Sequence, residues 1–504
     1  MGIHDNLLRA WTDFNAQTIT PLQLKAVSSG FGIYQQKDDA VMMRIRRTGG
    51  IVTLSDLRAI AGLLAKYGVP YAHITTRQAI QMHGVAATDV ASALADCEAA
   101  GLRFRGGGGN TFRNVLVNPD SGLHTDTAFD VLPYARALAE AFYTFDLAYA
   151  LPRKIKIAFA DRTADRMLCA IQDLGFVATR THGERTFEVW LGGGIGNKPR
   201  VGFKLFEALP ASECIRVAMA VTALFNDHGD RACRATARLR FLRGKLGDEG
   251  LAALFREYYA KADAQGYPVC PEQALTPEIY PVTTLPEGVE ALPGYEDWRA
   301  IACKPLCDGT YSVRLFVPFG NFTQPMLVRF CDFLEHYGLT RLQLLISQDL
   351  TLPRVHEKCL TALYHALIQS FPDFDLTLRS YVGHIPTCIG NTVCKIGAAD
   401  SPRIGEKLAK VLDAYLPANT PERRLLAQLV TTEVRISGCP NSCTAHPAAR
   451  FGFQCRKLGG QEVLVPFTPA TTEPPTLGEP KQTPIAIDDL PAYLLGNLGL
   501  NVAD

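Results

Sequence analysis

The chain has 504 residues, 47% of them apolar, and its 51 Lys and Arg nearly balance its 50 Asp and Glu. This length allows two to four domains with real cores, and the apolar share excludes extended disorder. The neutral balance argues against a general nucleic-acid binder but leaves room for a local basic cavity.

The first stretch, "MGIHDNLLRAWTDF", carries Asp5, Arg9 and Asp13 and no apolar h-region. Asn6 stands where a myristoylation signal needs Ser or Thr. No apolar run approaches membrane-spanning length, so a cytoplasmic protein is expected. Next comes "MMRIRRTGG", with Arg44 and Arg46, and then a segment that recurs. "GGIVTLSDLRAIAGLLAKYGVPYAHITTRQAIQMHGV" from Gly49 matches "FGNFTQPMLVRFCDFLEHYGLTRLQLLISQDLTLPRV" from Phe319 at a constant offset of 270. Gly50, Thr53, Leu57, Tyr67, Gly68 and Gln78 pair with Gly320, Thr323, Leu327, Tyr337, Gly338 and Gln348, and Arg44 with Arg314. So many ungapped coincidences indicate a duplication.

Each copy reads as strand, helix, strand. Leu57, Ile60, Ala61 and Leu64 fall at i, i+3, i+4, i+7, as do Leu327, Phe330, Cys331 and Leu334. One buried helical face per copy is predicted, closed by Gly68 and Gly338. "AIQMHGV" and "DLTLPRV" alternate like half-buried strands. Two equivalent α+β units about a local two-fold axis are expected. The copies differ where charge matters: Arg77 in the first faces Ser347 in the second. A chain descended from a two-site ancestor would have kept one site.

Basic residues recur along the first half: Arg44, Arg46, Arg77, then Arg113 in "GGGGNTFRN", in stretches without acidic partners. In "LPRKIKIAFA", Lys154 and Lys156 alternate with Ile155 and Ile157, which on a strand places both lysines on one face. A solvated strand face would show the same alternation. The missing acids favour a cavity that takes an anion. "GDRACRATARLRFL" adds Arg231, Arg234, Arg238 and Arg240 with Asp230 alone to balance them, read as an arginine-bearing helix that faces a polycarboxylate cofactor or a nucleic acid.

Tyr267 to Trp298 carries Pro268, Pro271, Pro277, Pro281, Pro286 and Pro293 and reads as an extended linker. Among 14 cysteines most sit singly in apolar stretches, as small buried hydrophobes. Cys303 and Cys307 at the end of the linker have no second pair nearby and read as incidental. "PTCIGNTVCKIG" and "ISGCPNSCTAHP" are different. Cys388 and Cys394 are separated by five residues, and Cys439 and Cys443 by three, each pair among Gly and Asn. Four thiolates suit zinc or an iron–sulfur cluster. The five-residue gap counts against zinc, although His446 with Cys439 and Cys443 would offer a zinc set. A Pro-rich stretch, Pro466 to Pro484, precedes a short helix near Leu490 and reads as a surface strap or as disorder.

Cys-x5-Cys followed by "GCPNSC" resembles the sirohaem and [4Fe–4S] sulfite and nitrite reductases, as do "MMRIRRTGG", "TTRQAIQMHG", "NTFRNV", "LPRKIK", "GGGIG" and the duplication itself. The resemblance spans roughly Gly30 to Phe453. It implies an α+β fold of duplicated ferredoxin-like half-domains plus two mixed α/β sirohaem- and cluster-binding domains, with a pseudo-two-fold. The expected divisions are a first half-domain over 1–145, a first sirohaem-binding domain over 146–266, the linker over 267–300, a second half-domain over 301–375, and the cluster and sirohaem domain with its tail over 376–504.

By the same resemblance, Cys388, Cys394, Cys439 and Cys443 are the cluster ligands, and Cys443 also meets the sirohaem iron. Arg44, Arg113, Lys154 and Lys156 bind the oxyanion and supply protons. Thr75, Arg77, Gln81, His83, Arg238 and Asn441 contact sirohaem. Six-electron reduction of sulfite to sulfide is expected from the two lysines of "RKIK"; nitrite reduction to ammonia is the alternative, since "CIGNTVC" is closer to the cluster motif of the nitrite type and of the ferredoxin-linked sulfite type. A relative in tetrapyrrole synthesis that lacks sirohaem, and a zinc-stabilised binding protein, are the remaining readings. No flavin domain is apparent, so ferredoxin or a separate flavoprotein would donate electrons to a monomer. Arg450, before "FGF", and His73 depart from the family pattern, which usually has an acidic residue and an arginine there.

Overall fold

The computed structural model describes residues 5–36, 40–276, 281–283, 285–286, 289–415 and 420–499. Pro277 of the linker lies outside the described residues. Two compact units divide the chain: Met1–His73 with Arg77–Gly194 and Arg200–Ile279, and Ile74–Thr76 with Ile195–Pro199 and Tyr280–Asp504. The main change-over falls inside the Pro-rich linker.

The first copy of the repeat contains β1 (Ile33–Gln35), β2 (Ala40–Arg46), α1 (Leu54–Lys66), β3 (Tyr71–Ile74), β4 (Ala79–Ala86) and α2 (Val90–Ala99). Its strands pair in the order β1-β2-β4-β3. A capping box starts α1: Thr53 Oγ1 accepts the Asp56 N–H at 3.1 Å, and the Asp56 carboxylate accepts the Thr53 N–H at 3.0 Å. Gly68, at φ +60°, ends it. Leu57, Ile60, Ala61 and Leu64 are all buried, as their spacing predicts. Each large apolar side chain buried this way contributes roughly 1.5–3 kcal/mol.

Strand β4 corrects one expectation. Its residues from Ala79 to His83 are buried without alternation. One face packs on apolar side chains, while the other is covered by the polar residues described below, so neither meets solvent.

The unit continues with β5 (Leu116–Val117), α3 (Leu132–Tyr143), β6 (Ile157–Ala160), α4 (Arg166–Ala170), β7 (Leu174–Thr181), β8 (Glu184–Leu191), β9 (Phe203–Pro210), α5 (Cys214–His228) and α6 (Leu239–Ala260). The sheet order is β9-β8-β7-β6-β5, with β5, β6 and β7 mutually parallel and the rest antiparallel. Phe159, Phe176 and Phe187 stack at its centre, the first two with ring centroids 4.7 Å apart. The arginine-rich stretch is not one helix. Arg231 and Arg234 lie exposed in a loop, Arg238 is the residue before α6, and only Arg240 and Arg243 are helical. Asp230 breaks the helix by accepting the N–H groups of Ala232 and Cys233 and the hydroxyl of Thr236.

The second unit repeats the first motif with α7 (Tyr295–Ala302), β10 (Cys303–Pro305), β11 (Tyr311–Leu315), α8 (Gln324–His336), β12 (Arg341–Leu344), β13 (Leu350–Val355) and α9 (Leu360–Ser370). Strand order is β10-β11-β13-β12, matching the first copy. Leu327, Phe330, Cys331 and Leu334 are buried on α8, which Gly338 closes at φ +64°. Cys303 is buried in β10 while Cys307 is exposed, consistent with two unrelated thiols. Beyond lie α10 (Ser401–Tyr415), α11 (Pro421–Thr432), β14 (Val434–Ser437), β15 (Phe451–Leu458), β16 (Gln461–Pro466), β17 (Ile485–Ala486) and α12 (Leu490–Asn497), with sheet order β14-β15-β16-β17. The Pro-rich tail is an ordered strap: Phe467 bridges to Pro480, and the Thr468 N–H reaches Glu479 O at 2.8 Å.

The two copies diverge at one buried charge. Arg314, the counterpart of Arg44, donates Nε and Nη2 to Asp349 at 2.9 and 2.5 Å. Asp349 also accepts the Val317 N–H at 3.0 Å. The position equivalent to Asp349 in the first copy is Ala79. Asp349→Ala would strand a part-buried guanidinium and an amide, a loss of about 3 kcal/mol. A fall of that size in the unfolding free energy obtained from a urea titration is the expected outcome.

Candidate functional site

In the first unit the cations gather around a glycine loop. Arg44 Nη1 donates to Gly107 O at 2.6 Å, and Arg113 Nη2 donates to the same oxygen at 3.1 Å. Arg46 Nη1 donates to Arg105 O at 2.6 Å, and its guanidinium lies 4.9 Å from the Phe112 ring. The loop must be glycine here. A Cβ on Gly108 would stand 2.2 Å from Tyr34 Oη, and one on Gly106 would stand 2.5 Å from Arg46 Nη1.

Lys154 and Lys156 stand on an extended segment that enters β6. Ile155 and Ile157 between them are fully buried, so the predicted alternation holds. Neither lysine makes an ion pair or a side-chain hydrogen bond among the described residues. Both are held well below the usual lysine pKa by burial first. For Lys154 the next causes are Lys156, Arg113 and Arg238; for Lys156 they are Arg77 and Arg238. Burial and the neighbouring Arg44 bring Arg113 down to about 9. Cations that depress one another, with the Asp173 carboxylate alone against Arg77, Lys156 and Arg238, form a site that favours an anion.

Two of the expected cofactor contacts are already engaged. Arg238 donates Nε and Nη2 to the buried Asp173, at distances from 2.8 to 3.2 Å, and Asp173 also accepts the Lys156 N–H at 2.8 Å. Arg238 therefore braces the lysine segment through Asp173. His83 is 2% exposed, and both ring nitrogens have protein partners: Gln36 at 2.9 Å and Gln81 at 3.3 Å. It has no polar atom left to offer a cofactor. Arg77 donates to Gln172 Oε1 at 3.0 Å and Ile157 O at 3.3 Å, reaching the lysine segment from β4's side. Thr75 lies in the turn after β3. His73, a departure from the family pattern, is buried with its ring 5.9 Å from that of His83.

Asn114 and Asp173 escape sequence reasoning. Asn114 Nδ2 donates to the carbonyls of Arg47, Arg77 and Gln78, tying β2 to the β3–β4 turn. Asp173 is a single acid in "AIQDLGFV", an incongruity that could have marked it as the buried partner of a cation.

In the second unit a short parallel bridge, Thr387 to Ile436, draws the two cysteine segments together. Gly438 N–H donates to Cys388 Sγ at 3.1 Å, and Ser401 Oγ lies 3.2 Å from that sulfur. A Cβ on Gly438 would fall 3.1 Å from Ser401 Oγ and 3.3 Å from Cys388 Sγ. Burial raises the pKa of the Cys439 thiol, and Cys388 and Cys394 add to it; hydrogen bonds from the Asn441 backbone and side chain oppose. Cys443 follows Ser442, which turns the chain at φ +54°, and is exposed. The buried Cys455 on β15 lies near the cage, and its thiol is pushed up by burial and by Cys388. His446 packs edge-on against Phe467 at 4.6 Å, its pKa pushed down to about 3 by burial.

No three ligand atoms of this group lie within 4.8 Å of one another among the described residues. A zinc ion with sulfurs at about 2.3 Å would hold them closer than that. The wider set, with glycines allowing close approach, fits a four-iron cluster.

The comparisons with known proteins agree. The model for the nitrite and sulphite reductase 4Fe-4S domain matches residues 108–262, and that for the nitrite/sulfite reductase ferredoxin-like half domain matches 34–100 and 305–370. The chain belongs to the nitrite and sulfite reductase family. A ferredoxin–nitrite reductase of Synechococcus elongatus is 26% identical over 475 residues, covering 90% of this chain and 84% of that one. A sulfite reductase [ferredoxin] of Mycobacterium tuberculosis is 26% identical over 420 residues, covering 82% and 69%. An assimilatory ferredoxin-dependent nitrite reductase of Haloferax mediterranei is 28% identical over 456 residues, covering 85% and 74%. The structure of the Mycobacterium tuberculosis NirA protein shares the fold, with a TM-score of 0.76 at 22% identity over 98% of this chain and 92% of that one.

This reductase is thus an oxidoreductase with the family's cofactors, sirohaem and a [4Fe–4S] cluster. The cysteine segments lie outside the matched residues. Cys388→Ser should lose iron and the visible absorption of the cluster, while Cys455→Ala should retain both. Iron analysis of the anaerobically purified variants checks this.

Proposed function

We propose that the reductase converts sulfite to sulfide with six electrons from ferredoxin. The observation that carries this reading is the pair Lys154 and Lys156, without ion pairs beside Arg113. Sulfite is a dianion with three oxygens to lose as water. Nitrite is a monoanion with two. A site with four cations, Arg44, Arg113, Lys154 and Lys156, matches the larger charge of sulfite.

Cys388, Cys394, Cys439 and Cys443 would hold the cluster, and Thr75, Arg77, Gln81 and Asn441 are the remaining candidates for sirohaem contacts. Sirohaem and the cluster supply single electrons to the bound substrate. The residues of this chain bind and protonate. Arg44 and Arg113 orient the oxyanion, because guanidinium stays charged and offers paired donors. Lys154 and Lys156 hold protons at Nζ that pass to departing oxygens, because their lowered pKa makes the ammonium a better acid. Support for ferredoxin as the donor comes from the relatives, a ferredoxin–nitrite reductase and a sulfite reductase [ferredoxin]. Those names divide between sulfite and nitrite, so nitrite reduction is the second reading.

Lys156→Asn should raise the KM for sulfite by about tenfold or more while changing that for nitrite by less than threefold. Equal losses for both, or a native kcat/KM higher for nitrite, would overturn the sulfite assignment. The pH profile gives a second check. Both lysine pKa values are lowered, so the charged acids are present at low pH and lost as pH rises through the lowered values. The kcat should therefore fall on the alkaline side well before the usual lysine range near about 10.4. Lys154→Arg should lower the rate while Lys156 keeps an alkaline limb, and the double variant Lys154→Arg with Lys156→Arg should abolish that limb.

A further inference from the structure

Arg44 and Gln81 face each other across the paired strands β2 and β4, with Met42 opposite His83 two pairs along. Behind them, Gln36 is fixed by its backbone neighbour: its Oε1 accepts the Gly84 N–H at 3.1 Å. Its Nε2 then points at His83 Nδ1, 2.9 Å away. Nδ1 must accept that bond, so the single ring proton sits on Nε2, facing the Gln81 amide at 3.3 Å. The ring cannot escape by taking a second proton. Burial, then His73 and Arg44, lower its pKa to about 3, and its other close neighbour, Tyr71, stacks at 5.2 Å without a charge.

The Gln81 carbonyl is therefore wanted on both sides. Turned toward Arg44 it accepts Nε at 3.1 Å and Nη2 at 2.6 Å. Turned toward His83 it accepts the Nε2–H, and its NH2 group then opposes the guanidinium. One amide oxygen cannot do both. Whichever way it stands, one donor meets another donor, unless Arg44 finds a different acceptor.

We propose that Gln81 is a two-position latch on Arg44. Its carbonyl holds the guanidinium while no anion is bound, and turns to accept the His83 Nε2–H when an oxyanion takes Arg44. His83 is then a positioning residue for anion capture. This rests on the reading of Arg44 as an anion ligand. The exchange offsets part of the cost of releasing Arg44, since a bond to His83 replaces the bonds given up.

The test measures sulfite and nitrite dissociation constants of the holoenzyme from its visible absorption, beside KM and kcat. His83→Phe keeps the stack on Tyr71 and removes the donor. It should raise the anion Kd by about fivefold, with kcat within about twofold. His83→Gln retains an N–H toward Gln81 and should stay near wild type. Gln81→Glu, a carboxylate that does not release Arg44, should raise Kd by about tenfold or more. In an Arg44→Ala background, His83→Phe should change Kd no further, because the latch has nothing to hold. Additive losses in that background, or an unchanged Kd in both His83→Phe and Gln81→Glu, would overturn the latch. If His83→Phe does not fold, Gln81→Glu and His83→Gln decide it by the same criteria. If Arg44→Ala itself leaves Kd unchanged, the failure lies with Arg44 as an anion ligand.

Discussion

The first unit is organised around positive charge that the chain does not neutralise. Two unit charges about 4 Å apart repel by about 4 kcal/mol at an effective dielectric near 20. Arg44, Arg113, Lys154 and Lys156 are spread through a region that Asp173 enters as a carboxylate, and Asp173 is already taken by Arg238. The structure answers with carbonyl dipoles. Gly107 O serves both Arg44 and Arg113, and Arg105 O serves Arg46. Dipoles soften the repulsion without cancelling the charge, so the field remains for a ligand. The glycines of residues 106–109 follow from this, since a Cβ there would meet the groups that bring these carbonyls to the arginines.

The duplication supplies an internal control. Both copies place an arginine on the second strand of the same motif, at positions 44 and 314. In the second copy Asp349 closes on that arginine, and Ser347 Oγ, where the first copy has Arg77, donates to the same carboxylate at 2.9 Å. One acid converts an anion ligand into an internal ion pair. The first copy has Ala79 in that place, and its arginine stands opposite the neutral Gln81 on the paired strand. A neutral partner can be exchanged for an anion at small cost, whereas a carboxylate competes with it. The contrast explains why one of two equivalent frameworks kept the chemistry.

What could be read from the sequence follows the same division. Apolar periodicity located α1 and α8 and their buried faces, because a helix face is a local pattern. The constant offset of 270 exposed the duplication, and the cysteine spacing marked the cage. Interactions that depend on distant partners stayed hidden. Arg238 and Asp173 are far apart in sequence, so the arginine looked available when it was not. His83 looked like a cofactor contact because its strand neighbours point to the site, yet Gln36 and Gln81 enclose it. The run of arginines before α6 looked helical because charge carries no period of its own, and Asp230 decided the matter by capping a loop. Arg450, the departure from the family pattern, forms an exposed pair with Glu433 at 3.1 Å, an interaction of at most about 1 kcal/mol that leaves the cage untouched.

Arginine and lysine divide the work for a physical reason. Arginine does not lose its proton in proteins, so Arg44 and Arg113 can attract an oxyanion but are poor sources of protons. Lysine gives up its proton readily once burial and like charges destabilise the ammonium. The same crowding therefore has two effects. It leaves the guanidiniums charged, where they raise the local potential, and it turns the lysines into acids. An arriving anion relieves the crowding and raises the lysines' proton affinity, so protons are held more firmly while substrate binds. In the proposed reaction each oxygen leaves as neutral water with two protons as two electrons arrive, so the charge facing the lysines stays the same and they are re-protonated between steps. The one carboxylate beside the segment, Asp173, accepts the Lys156 N–H and is paired with Arg238, so neither lysine ammonium is neutralised by an ion pair of its own.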